Sequence, residues 1–171
     1  DKSMVVSSVE DGVRRFSLLE TMRSFGDEEL SAAAERSTYR RRHADQMLAL
    51  ARRENDRLFT AAELEVWRVF DKEWANLRVA VDTYAEEQDI DMGAQLVLSL
   101  AWYASFAMRP ELFTWATALL DADGMDGHPA FTDLCGVAAL GEYLAVSGRV
   151  TERAEAGLAA NPADPGGFCR L

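Results

Sequence analysis

The stretch from Leu64 to Tyr84, LEVWRVFDKEWANLRVAVDTY, decides the fold class. Within it Leu64, Trp67, Phe70, Trp74, Leu77, Val81 and Tyr84 recur at spacings of three and four, the period of one face of an α-helix. A half-buried strand would instead alternate at every second residue. The stripe predicts an amphipathic helix packed along much of its length, and it ends too soon for an independent coiled coil.

Working outward from it, Tyr39, His43, Met47 and Leu50 repeat at four, four and three and predict a preceding helix. Before that, Leu19, Met22, Phe25 and Leu30 share a face, with Glu28 and Glu29 opposite. The N-terminus has a different period. Met4, Val5 and Val6 are β-formers, Glu10-Asp11-Gly12 supplies a turn, and Arg15 to Leu18 alternates, which predicts a β-hairpin. A lone hairpin is marginal in water, so it has to pack on something.

Downstream, two helical pairs are expected, at about 91–108 with 110–121 and at about 130–146 with 150–160. Pro110 suits a helix first turn, where its missing N–H costs nothing. Gly124, Gly127 and Pro129 mark the connecting loop, and Ser147-Gly148 splits the second pair. Tyr103 and Tyr143, like Arg109 and Arg149, stand 40 residues apart, near the tetratricopeptide period of about 34 lengthened by that loop. One helical pair cannot cover its own apolar face, so it stacks on the next. The expected fold is therefore mainly α, an N-terminal β-hairpin followed by an α-helical tetratricopeptide-like superhelix. Its expected parts are residues 1–30, a hairpin with one helix; 31–160, the array; and 161–171, a tail with two prolines and two glycines.

A chain of 171 residues, 49% hydrophobic and 27% charged, can bury a real core. Its net charge of −11 repels phosphate backbones, so no direct nucleic acid contact is expected. No segment has the length and apolarity of a membrane span; Leu96 to Met108 is too short and stops at Arg109-Pro110. No signal peptide is visible, and two cysteines, Cys135 and Cys169, fit a reduced, cytoplasmic protein, with one disulfide as the alternative. The start at Asp1 suggests a piece of a longer protein.

Chemistry-bearing patterns are sparse. His43 and His128 have no metal-ligand spacing, and no phosphate loop or nucleophile elbow occurs. Asp121, Asp123 and Asp126 share a loop but lack the terminal glutamate of a calcium loop, so a solvated acidic loop is the expectation. Trp67, Trp74, Trp102 and Trp115 fall at core spacing, with an aromatic ligand box as the alternative. Arg40-Arg41-Arg42 is expected to pair with neighbouring helices. No catalytic residue, cofactor-binding residue or metal site is expected. Trp102, Tyr103 and Tyr143 are the candidate groove residues.

Four stretches together resemble one class of bacterial regulators. Asp1-Lys2-Ser3-Met4-Val5-Val6 resembles the "DKSLV" strand that opens a wing hairpin, and Phe16 to Arg23, FSLLETMR, resembles the "Y-x-LLETIR" exit from it. Arg41-Arg42-His43-Ala44 with Leu48-Ala49-Leu50-Ala51 is similar to an "RRHA…LALA" helix, and Glu73 to Arg78, EWANLR, to an "E-x-x-NLR" helix. The class is the STAND-type signalling ATPases of large LuxR-type and related transcriptional regulators, some fused to nucleotide cyclases. The resemblance covers about half the chain. It implies the end of a winged helix at residues 1–30 followed by a tetratricopeptide-like sensor. ATP and Mg would be bound in the parent protein, outside this segment. In related ATPases a His of a "Met-His-Asp" motif contacts the nucleotide; the matching position here is Leu19, which cannot donate a hydrogen bond to a phosphate.

The expected function is thus a non-catalytic regulatory module binding a protein or small effector. The alternative is a helical scaffold that forms a homodimer through an exposed apolar face.

Overall fold

The computed structural model describes residues 5–10, 13–145 and 150–161. The fold is mainly α with a small N-terminal hairpin. Two strands, β1 (Val5–Glu10) and β2 (Val13–Leu18), precede seven helices among the described residues. These are α1 (Glu20–Ala32), α2 (Arg36–Asn55), α3 (Glu63–Glu86), α4 (Ile90–Phe106), α5 (Glu111–Leu120), α6 (Phe131–Leu144) and α7 (Val150–Ala160). The chain divides into two units, Asp1–Arg40 and Arg41–Leu171, so the boundary expected at residue 30 falls inside α1.

In the first unit β1 and β2 pair antiparallel, with Val5 opposite Leu18, Ser7 opposite Phe16 and Val9 opposite Arg14. The expected turn residues Asp11 and Gly12 lie outside the described ones. Directly opposed residues share a face, which gathers Val5, Val9, Phe16 and Leu18 on one side of the ribbon. All four are exposed. Helix α1 also buries none of its residues, and Phe25 is 56% exposed. On the shared face of Leu19, Met22, Phe25 and Leu30, Leu19 and Phe25 are exposed and Met22 and Leu30 half-buried. Arg36 Nε donates to Asp27 at 2.8 Å across the α1–α2 turn.

The second unit is a run of helices, each of α3 to α7 packed on the next, and α4 also touches α6. That contact between the first helices of successive pairs is how stacked helical hairpins share one core. Phe70, Trp74, Leu77, Val81 and Tyr84 of the stripe are buried and Trp67 is half-buried, while Val66, outside the stripe, is buried as well. Leu64 is 75% exposed, because it sits one residue into the helix, ahead of the packed face. Helix α4 is enclosed, with Leu96, Val97, Leu100, Ala101, Tyr103 and Ala104 at 0% exposure. Gly141 of α6 admits close approach of α5: a Cβ there would clash with the Phe113 side chain.

Helix ends follow local chemistry. Helices α1, α3 and α4 stop through a left-handed residue, at Ala34, Gln88 and Met108. In each the two following amide donors fold back on the last carbonyls, as in Asp89 N–H to Tyr84 O and Arg109 N–H to Ala104 O. Asp89 then caps α4 by accepting from Met92 N–H at 3.1 Å. Pro110 occupies the cap position before α5 rather than the first turn. In the loop before α6, Gly124 and Gly127 take φ of +94° and +76°, and Met125 between them is buried as an anchor.

Candidate functional site

The interior of the second unit holds an aromatic column. Tyr103 of α4 packs against Trp67 at 5.4 Å, Phe70 at 4.8 Å and Trp74 at 5.9 Å between ring centres. Trp74 in turn stacks on Trp115 of α5 at 5.5 Å. These contacts place Trp67, Trp74 and Trp115 in packing roles rather than around a ligand.

Polar rims close the column. The Tyr103 hydroxyl donates to Asp71 Oδ1 at 2.6 Å, and Arg109 Nη2 donates to the same oxygen at 2.7 Å. The Arg109 guanidinium lies 5.1 Å from the Trp74 ring centre. Burial, then the bond to Asp71, pushes the Tyr103 phenol up to about 12, so it stays a donor. The Tyr103 hydrogen bond and Arg109 hold the Asp71 carboxyl below its ordinary value. Glu111 is also held low, first by its own backbone N–H at the start of α5, then by Trp74 and Arg78.

A second cluster of the same kind joins α2 to α3. Tyr84, buried, donates to Asp45 Oδ1 at 3.0 Å, while Arg41 lies 5.2 Å from the Tyr84 ring centre. Arg41 meets Asp45 at 2.9 Å, Glu87 at 2.9 Å and Asp89 at 2.7 Å. These carboxylates, Glu87 first, raise the Arg41 guanidinium above its ordinary value. Arg41 thus does what the basic run was expected to do, tying its own helix to the α3–α4 turn.

Of the candidate groove residues, Tyr103 is a correction: it is fully buried, and its hydroxyl is spent on Asp71, so its ring cannot line a solvent-facing groove. Trp102, its neighbour, points about 100° away around the helix. It is half-buried between Phe59, edge-on at 5.7 Å, and Phe106, stacked at 6.1 Å. Tyr143 is 68% exposed on α6. The sequence match of Tyr103 with Tyr143 is therefore not a match of environment, and Arg149 lies outside the described residues. Around Trp102, Phe59 and Phe106 are 61% and 59% exposed, and Phe59 holds a left-handed φ of +65°. Sequence reasoning missed both.

A groove of about 490 Å³ opens between α5 and α6, lined by Phe113, Thr117, Ala118 and Asp121 on one side and Ala138 and Glu142 on the other. Arg153 of α7 reaches Asp121 at 3.4 Å. No protein-family model, curated protein or solved structure matches this chain. The groove and the aromatic patch are thus known by their chemistry alone.

Of the two histidines, His128 has structural partners. His128 accepts from Ala130 N–H through Nδ1 at 3.1 Å, which leaves Nε2 to donate to Asp91 at 2.9 Å. His43 is half-buried on α2. Cys135 is buried on α6, and Cys169 lies outside the described residues. Among the described residues no three His, Cys, Asp or Glu side chains converge as for a metal ion, and no helix is long and apolar enough to cross a membrane.

Proposed function

We propose that this chain is a non-catalytic regulatory module of a multidomain signalling ATPase transcriptional regulator, binding a protein or small effector through its helical array. One observation carries most weight. No described residue among 5–40 is buried, whereas the array from Ala44 to Val137 closes a continuous core. A hairpin and helix that bury nothing need a cover from other polypeptide, which is how an element at a domain junction behaves. The four resembling stretches support the same reading, in which ATP and Mg bind elsewhere in the parent. The array would bias that parent only if its ligand bound one of the parent's states more tightly than the other.

The reading frame around this chain tests the proposal. A P-loop upstream of Asp1 with a DNA-binding or cyclase domain in the same frame is expected. A start codon directly before Asp1 and a stop after Leu171 would overturn it.

The apolar ribbon face of Val5, Val9, Phe16 and Leu18 favours a second reading, a scaffold that dimerises through that face. Light scattering over a concentration series separates the two: a concentration-dependent dimer abolished by Phe16→Ser supports the scaffold, and a monomer throughout excludes it.

A further inference from the structure

We propose that His128 is a proton-sensitive clip between the first helices of the two helical pairs, fastened at both ends when its ring is neutral and released from α6 when the ring is protonated. The inference is independent of what the array binds. The ring stands where the α5–α6 loop, α4 and α6 come together. His128 lies two residues before Ala130, the cap position of α6, which makes no side-chain capping bond of its own. There His128 Nδ1 takes the Ala130 N–H at 3.1 Å. Nε2 meets Asp91, in the first turn of α4, at 2.9 Å. One imidazole thus joins the start of α6 to the start of α4, and the two helices also touch directly.

The loop holds the ring in this position. Met125 is buried and its carbonyl accepts the His128 N–H at 3.0 Å, while the His128 carbonyl accepts from Phe131 N–H at 3.0 Å. The side chain is 15% exposed, so its geometry is defined and solvent still reaches it. Nδ1 can accept an N–H only through its lone pair, so the fastened state requires a neutral ring with its proton on Nε2. A proton taken from solvent occupies that lone pair and sets one N–H donor against another at Ala130. The bond to Asp91 survives and becomes charge-assisted. Protonation therefore keeps the grip on α4 and loses the grip on α6.

The surrounding charges act in one direction. No Lys or Arg occurs from Ile90 to Phe106 or from Glu111 to Leu144. The charged groups that flank the ring are carboxylates: Asp91 on α4, Asp123 and Asp126 in the loop, Asp133 in the first turn of α6, and Asp121 at the end of α5, which Arg153 of α7 approaches at 3.4 Å. What opposes the charged ring is the amide end of α6, where the helix dipole is positive.

Nitrogen-15 NMR of the full chain, titrated from about pH 8 to about pH 5 where imidazoles change charge, tests the clip. At the alkaline end the His128 ring should carry its proton on Nε2 alone. On acidification Nδ1 should gain a proton and the Ala130 amide resonance should move with the same midpoint. Exchange protection at Phe131 and Leu134, whose amides bond the His128 and Ala130 carbonyls, should fall about fivefold after correction for intrinsic exchange. His128→Gln, uncharged throughout, should abolish the transition at all three amides. Asp91→Asn should move the midpoint to lower pH and leave Ala130 following the ring. A ring protonated on Nδ1 at the alkaline end, or one still neutral at the acid end, would overturn the proposal. So would a ring that titrates while Ala130 stays unmoved, or an Ala130 transition that persists in His128→Gln. The wild-type titration decides even where a variant fails to fold.

Discussion

The hairpin with α1 and the array from α3 to α6 are both built from amphipathic segments, and they put their apolar side chains to opposite use. In the array, Phe70, Leu77, Leu100 and Leu112 reach 0% exposure because each helix finds the next within its own sequence neighbourhood. In the hairpin, Val9 and Phe16 are each 67% exposed although the strand register is well formed. Correct secondary structure is therefore not what separates the two regions. The array closes its own core, and the hairpin leaves Val5, Val9, Phe16 and Leu18 exposed.

The sharpest way to break this contrast is a matched truncation. Phe70→Ala should cost about 3–5 kcal/mol by denaturant unfolding, whereas Phe16→Ala should shift it by less than about 0.5 kcal/mol. Equal losses would mean that the hairpin face is covered in solution. Next in size, Gly141→Ala forces a Cβ against Phe113 and should destabilise the array by about 1–3 kcal/mol, read in the same melt. Tyr103→Phe keeps the aromatic column and removes one bond to Asp71, so a loss of about 1.5 kcal/mol is expected. Tyr143→Phe, on an exposed ring, should be neutral.

Smaller effects sharpen the comparison at helix ends and rims. Gln88→Gly relieves a left-handed residue at the end of α3, and thermal melts should show a gain of about 0.5–1 kcal/mol. Asp71 and Glu111 have folded values below their unfolded ones, so their contribution is present above the ordinary carboxylate range and is lost as pH falls through it. Both are solvent-screened, so the decline below about pH 4 should be modest, and Asp71→Asn should flatten it.

Much of the fold was legible because periodicity is a local property. The stripe from Trp67 to Tyr84, the paired helices after Asp89 and the hairpin alternation all became the expected elements. The misses share one cause. Leu64 belongs to the stripe by spacing, yet it lies ahead of the packed face. Tyr103 looked like Tyr143, but only Tyr103 is surrounded, by Trp67, Phe70 and Trp74 from the preceding helix. Phe59 escaped notice because one aromatic in a turn carries no period.

By itself, the amino-acid sequence determined the helical class, the hairpin, the net charge of −11 and the placement of most core aromatics. Those follow from residue type and short-range spacing. Only the tertiary structure decided which carboxylates meet which partners. Asp71 reaches Tyr103 across 32 residues of chain and Asp45 reaches Tyr84 across 39. It alone decided that the α5–α6 groove exists. Such properties depend on how two surfaces approach, and no local period records that distance.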